Sequence, residues 1–275
     1  MARKLKISKF QAFVATLYPL TILLGQLVAI ASPTEITSNY FTSKRNIFNV
    51  LFVKKGWLWT SVVYFLLLAR VPATSRYANA SSLQQSLKQY VCATAWWIFY
   101  SQWFFGLPIM DKVFILTGGQ CSGISPAAAI DTSKFKVMSS NLDELLYSSS
   151  SITSAKCRAI KGRWHGGHDP SGHVFILSLS SMLLILECAR FYSLQDLQTE
   201  WARFKQSTAR FWETRSLQTA TPLLKDYPLV YIALLLVLWF WMLFVTSMHF
   251  HSFVEKLAGL AFSYLGIYAS IRLFQ

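Results

Sequence analysis

Charge is scarce in this chain. Only 14% of its 275 residues are Asp, Glu, Lys or Arg, and acidic side chains are the rarer kind, 12 against 26 basic. Ordinary soluble domains carry about a quarter charged residues, so the composition excludes that class. No nucleic-acid-binding motif accompanies the net charge of +14, which points to anionic lipid headgroups or an anionic substrate and away from nucleic acid. A closed metal site is missing too. His165, His168 and Asp169 are two imidazoles and one carboxylate in a glycine-rich loop, a set that matches no closed zinc site. No metal and no cofactor are expected. Cysteine is limited to four residues. Cys92 and Cys188 lie in apolar runs, where a buried, unreactive thiol is the default.

What the chain has is apolar sequence gathered into runs. Hydrophobic residues make up 53%, with ten Trp, twelve Tyr and 21 Phe. A bilayer-crossing helix needs about 20 mostly apolar residues, and six segments come near that length: 10–31, 57–71, 90–110, 174–192, 227–250 and 253–274. The expected fold is all-α, a single integral membrane domain over residues 1–275 with about six transmembrane helices. The apolar part of the first run exceeds the roughly 7–15 residues of a signal-peptide core, so the run reads as an uncleaved span.

The basic N-terminus (Arg3, Lys4, Lys6, Lys9) places that end in the cytosol. Six spans then put both termini there, with residues 111–170 as a lumenal loop and 193–226 as a cytosolic one. On this plan 14 Lys and Arg fall on the cytosolic side and 12 on the other. The count alone discriminates weakly; the N-terminus and the basic cluster of loop 193–226 carry the orientation. In that loop Leu194, Leu197, Trp201, Phe204, Thr208 and Phe211 recur at three- and four-residue spacing, with Arg203, Lys205, Arg210 and Arg215 off the stripe. This is an amphipathic helix, resting either in the cytosolic membrane interface or on the protein's own spans. Loop 111–170 is rich in Ser, Thr, Lys and Gly and reads as largely irregular. It holds Cys121 and Cys157, which can form a disulfide on that side of the membrane. Asn79-Ala80-Ser81 is a glycosylation sequon that the topology keeps cytosolic and unmodified.

The chemistry-bearing residues cluster at span ends. Gly166-Gly167-His168-Asp169-Pro170-Ser171-Gly172-His173 opens the fourth run. Glycine lets backbone amides approach an anion, and the unpaired amides and dipole of a first helical turn favour negative charge. A histidine there can donate a proton to a departing phosphate oxygen. The plainer reading is a helix cap by Ser171 or Asp169. The fifth run ends at His249-Phe250-His251, and an antiparallel helix pair returns His251 to the membrane face of His173. Glu255, four residues on, shares a helical face with His251 and can fix its tautomer while stabilising its cation. His249 is the fallback for His251.

Pro170-Ser171-Gly172-His173, with His251 and Glu255 far downstream, resembles the second and third motifs of the lipid phosphatase (type-2 phosphatidate phosphatase) superfamily. More closely, the chain resembles the fungal branch of the fat-storage-inducing transmembrane family, through residues 103–112 (WFFGLPIMDK), 117–121 (TGGQC), 164–175 and 250–256. That resemblance implies a metal-independent enzyme of the endoplasmic reticulum membrane, its active site facing the lumen. It would cleave fatty acyl-CoA to acyl 4′-phosphopantetheine and adenosine 3′,5′-bisphosphate, in support of lipid droplet formation and ER lipid homeostasis. By position His173 is the general acid and His251 the nucleophile that forms a phosphohistidine, with Ser171 and Gly172 contacting phosphate. Glu255 is a supporting carboxylate by spacing, Asp169 is a further supporting residue, and Lys112 and Arg163 (or Arg158) are candidates for the diphosphate. One departure stands out: the superfamily's arginine ahead of the nucleophile is replaced by Val245. Implied partners are acyl-CoA and membrane lipids. A lipid monophosphate phosphatase and a non-enzymatic neutral-lipid-binding protein are the competing readings.

Overall fold

In the computed structural model, residues 9–32, 40–43, 45–102, 107–122, 136–137, 147–148, 153–159 and 161–273 are described. Arg3, Lys4, Lys6 and the Trp103–Gly106 part of the first family motif lie outside them. Ten α-helices occur among the described residues: α1 (Lys9–Ala31), α2 (Gly56–Thr74), α3 (Ala80–Trp97), α4 (Ile109–Leu116), α5 (Ser154–Ala159), α6 (Gly172–Phe191), α7 (Leu194–Thr214), α8 (Leu217–Lys225), α9 (Pro228–His249) and α10 (Phe253–Leu273). Four of them, α1, α2, α6 and α9, are long and apolar enough to cross a membrane, and the chain is an all-α polytopic membrane protein.

The chain divides into two compact units. One comprises Met1–Ala93, His173–Phe250 and Leu260–Gln275; the other comprises Thr94–Gly172 and His251–Gly259.

In the first unit α6 is the innermost helix, with every residue from Val174 to Leu184 buried. A helix enclosed on all sides needs no polar stripe, and the polar groups of that stretch are small serines. Ser181 meets the Tyr18 hydroxyl at 2.9 Å. α1 packs along α9, and Gly25 makes the close approach possible. A Cβ there would stand 2.6 Å from the Cβ of Ser247. Glu187, almost wholly buried, lies 3.3 Å from Arg190 one turn on. α7 starts at a reciprocal capping box of Ser193 and Asp196, and none of its residues is buried.

The helix expected near 90–110 starts earlier, at Ala80. The Asn79 side chain accepts the Ser82 N–H at 2.7 Å and Ser82 Oγ accepts the Asn79 N–H at 3.0 Å, so the sequon asparagine is an N-cap. The helix then widens into a π-helix over Ile98–Gln102, and a new helix, α4, begins behind Pro108.

In the second unit, the described part of the expected irregular loop is ordered. Strands β1 (Gln120–Ser122), β2 (Lys136–Val137), β3 (Tyr147–Ser148) and β4 (Arg163–His165) form an antiparallel sheet in the order β2-β3-β1-β4. Cys121 and Cys157 are disulfide-bonded with Cα atoms 5.9 Å apart, tying β1 to α5. Phe114 stacks on Trp164 with ring centroids 4.4 Å apart. These contacts fix the frame from which the glycine-rich segment leaves β4.

Candidate active site

The segment after β4 is shaped by main-chain proximity. Gly166 has φ +95°, a left-handed conformation that suits glycine. A Cβ on Gly167 would fall 2.2 Å from the Phe114 carbonyl oxygen, so only glycine fits. The His168 N–H donates to Thr117 Oγ1 at 2.8 Å. These bonds bring the chain to Asp169, Pro170 and Ser171 on a defined course.

Glu255 receives that segment. Its Oε1 accepts the Asp169 N–H at 2.9 Å, and its backbone carbonyl accepts the Ser171 N–H at 3.0 Å. Its Oε2 accepts the Ser252 N–H at 2.7 Å, and Ser252 Oγ accepts the Glu255 N–H at 3.3 Å. Ser252 and Glu255 thus form a capping box at the start of α10. Gly259 lies against the same serine: a Cβ there would come within 2.5 Å of the Ser171 carbonyl oxygen.

His251 sits two residues before α10, with φ +60°. Few non-glycine residues adopt this conformation, and those that do cluster at functional sites. Its Nδ1 is 3.6 Å from Glu255 Oε2. That separation suits an ion pair but exceeds a hydrogen bond. The expected shared helical face is not the reason for the proximity. Ser252 caps the helix, so His251 lies outside it and is aimed by the turn. The Glu255 carboxylate is simultaneously engaged by two main-chain N–H groups, which hold its charge beside the imidazole.

Asp169 is half-buried. Burial pushes its carboxyl above the usual range; the His251 charge opposes that, while Glu255 and Asp111 add to it. Asp111 is buried and accepts the Ser154 N–H at 3.0 Å. Arg158 donates to Ser154 Oγ at 3.1 Å, and its positive charge acts on both Asp111 and Asp169. Lys112 and Arg163 are exposed on α4 and β4, outside the bonded group around Glu255. Of the cations considered from sequence, Arg158 has the electrostatic tie to Asp169. His165 and His168 are exposed, and among the described residues no three His, Cys, Asp or Glu side chains gather as a metal site.

His173 belongs to the first unit, as the second residue of α6. Its Nε2 is 2.7 Å from Asn49 Oδ1. Its ring stacks on that of Phe250, centroids 6.4 Å apart and planes 12° from parallel; His251 is the next residue in the chain. Asn49 lies in a π-helix over Phe48–Val53 and is buried. Sequence reading did not single it out. The one available signal was an amide inside the otherwise apolar run FNVLFV. His249, the fallback, ends α9 with its ring edge-on to Phe250, and Val245 is buried in α9.

Comparison with known proteins places the chain in one family. A family model described as fat storage-inducing transmembrane protein matches residues 37–270. Acyl-coenzyme A diphosphatase fit1 of Schizosaccharomyces pombe is 31% identical over 93% of this chain and 82% of its own length. Acyl-coenzyme A diphosphatase SCS3 of Saccharomyces cerevisiae is 27% identical over 93% of this chain and 94% of its own. Acyl-coenzyme A diphosphatase FITM2 of Xenopus laevis is 27% identical, covering 90% of this chain and 76% of its own length. No solved structure matches.

Proposed function

This chain belongs to the fat storage-inducing transmembrane family, and from that membership we propose that it is a hydrolase of the endoplasmic reticulum membrane acting on the diphosphate of fatty acyl-CoA. The products are acyl 4′-phosphopantetheine and adenosine 3′,5′-bisphosphate. The observation that carries the reading is the convergence of Asp169 and Ser171 on Glu255, beside a histidine held at φ +60°. The names of the fungal and vertebrate relatives supply the substrate.

In this reading His251 attacks one phosphorus of the diphosphate, forming an N–P bond as the bridging P–O bond breaks. His173 gives its proton to the departing bridging oxygen. Water then attacks the phosphohistidine; His173 takes the water proton, the N–P bond breaks, and both histidines return to their starting states. Glu255 faces the imidazole and stabilises the cation that phosphorylation creates. The amides at the start of α6, with Ser171 and Gly172, receive phosphate oxygens. Arg158, exposed like Lys112 and Arg163 but electrostatically tied to Asp169, is the favoured cation for the diphosphate, with those two as alternatives. No step is routed through a metal.

For topology, α3 with its π-helical extension and α10 complete six spans. Both termini are cytosolic, and α7 lies along the cytosolic interface with Trp201 and Trp212 exposed. The Cys121–Cys157 disulfide supports a lumenal position for residues 111–170, because cytosolic thiols are kept reduced.

The test is a purified preparation offered acyl-CoA and phosphatidate in parallel. Adenosine 3′,5′-bisphosphate release supports the diphosphatase. Inorganic phosphate from phosphatidate alone would make it a lipid monoesterase, and neither product would leave a lipid-binding protein.

A further inference from the structure

We propose that Asn49 is a positioning residue for the proton donor His173, holding the imidazole through a neutral amide where the nucleophile is held by a carboxylate. The inference rests on the assignment of His173 as the general acid.

Three observations carry it. Asn49 is 4% exposed, and a buried amide is costly unless it is hydrogen-bonded. Within FNVLFV it contributes little that an aliphatic side chain would not do better, yet its Oδ1 lies 2.7 Å from His173 Nε2. Second, its root is fixed. The Asn49 N–H donates to Asn46 Oδ1 at 2.8 Å, and its carbonyl accepts the Lys54 N–H at 2.9 Å across the widened π turn. Asn46 is tied in turn by a 2.8 Å bond from Nδ2 to the Ser43 carbonyl. Short π segments in helical proteins are rare and occur frequently at functional sites. Third, the Phe250 ring lies alongside the imidazole, nearly parallel to it with centroids 6.4 Å apart, so a second side chain flanks the ring besides the Asn49 contact at Nε2.

The choice of an amide has a chemical consequence. A side-chain oxygen accepting from Nε2–H fixes the tautomer and the ring plane. A carboxylate at the same place would also add a full negative charge, making the imidazolium harder to deprotonate. A general acid works best when it releases its proton readily near the operating pH. Asn49 therefore orients the donor without strengthening its hold on the proton. Asn49 and Phe250, two of the groups that reach the ring from other elements, are neutral.

The experiment uses the full-length protein purified in lipid nanodiscs, with acyl-CoA as substrate, and records kcat and KM across the pH range. The proteins compared are wild type, Asn49→Ala, Asn49→Asp, Asn49→Gln and His173→Ala. Asn49→Ala is expected to lower kcat about 10- to 100-fold, part of the 100- to 10,000-fold that a placed acid contributes, with KM within about twofold. Asn49→Gln recovers part of the loss. Asn49→Asp moves the alkaline limb of the kcat profile upward by about one pH unit and lowers its plateau. A merely structural role would reduce yield or thermal stability without moving that limb, so the Asp variant decides even if the Ala variant fails to fold. Wild-type kcat and an unmoved limb in the Asn49 variants, with His173→Ala inactive, overturn the positioning role and leave the acid assignment standing. A fully active His173→Ala protein removes the assignment and this inference together.

Discussion

His251 and His173 stand in different units of the chain, and different chemistry holds them. His251 occupies a left-handed turn and faces Glu255, whose carboxylate is itself bonded to two main-chain N–H groups. His173 sits in the first turn of a helix and faces the buried amide of Asn49. A carboxylate favours a positive imidazole; an amide orients one without that bias. The first suits a group that becomes a phospho-cation, the second a group that gives up a proton. The difference gives the two proposed roles a structural counterpart in the partner that each ring faces.

The largest expected effect separates the two histidines directly. His251→Ala should abolish turnover and leave no acid-labile phosphoenzyme when the protein is quenched in mid-reaction with substrate labelled at both phosphates of the diphosphate. His173→Ala should cost about 100- to 10,000-fold in turnover of acyl-CoA. It should still accumulate phosphohistidine from a diphosphate ester whose leaving group needs no proton. Equal labelling of both variants would erase the comparison. Glu255→Ala comes next. It removes the counter-charge of His251 and strands two N–H groups, at about 1–3 kcal/mol each where they are buried. A drop in the thermal midpoint together with lost activity is expected, while Glu255→Gln should keep much of the stability and still lose turnover. A Gln variant as active as wild type would show that the charge is dispensable.

Cys121→Ser should act on the second unit alone. A disulfide spanning 36 residues of sequence stabilises by about 3–4 kcal/mol in the chain-entropy account. Hydrogen exchange should therefore quicken across β1, β4 and residues 166–171 while the α6 amides keep their protection; uniform loosening would contradict separate frames. The smallest effect concerns Asp169, whose carboxyl is raised first by burial, then by Glu255 and Asp111, against the lowering influence of His251. A raised group favours the folded state below its ordinary titration range, and that contribution is lost as pH climbs through the raised value. Asp169→Asn should therefore be more stable than wild type above that window and equal to it well below. Thermal midpoints measured against pH would check the sign.

Much of the helical frame was legible because length and apolarity are local properties. The runs at 10–31, 174–192 and 227–250 appear as helices Lys9–Ala31, Gly172–Phe191 and Pro228–His249. α3 was misplaced because its first half, ASSLQQSLKQ, is polar, and its start is set by the Asn79 cap rather than by hydropathy. The small sheet was illegible for another reason: strands of two or three residues leave no alternation to read. Ser171, His173, His251 and Glu255 were singled out by motif and spacing. Asn49 was not, since its partner lies 124 residues away and an isolated asparagine announces nothing by itself.

The double hold of Glu255 on the Asp169–Ser171 segment has a further consequence. One bond runs to the carboxylate and one to the backbone carbonyl of the same residue, and both donors are main-chain N–H groups two positions apart. Such a clasp measures chain length, not side-chain identity. Residues 169 and 171 could change type and still be gripped. One residue inserted between them, or one deleted, would put the N–H groups out of step with their acceptors and shift where the following helix begins. Indel scanning should therefore reveal a rigid ruler in a stretch that substitution scanning would judge permissive.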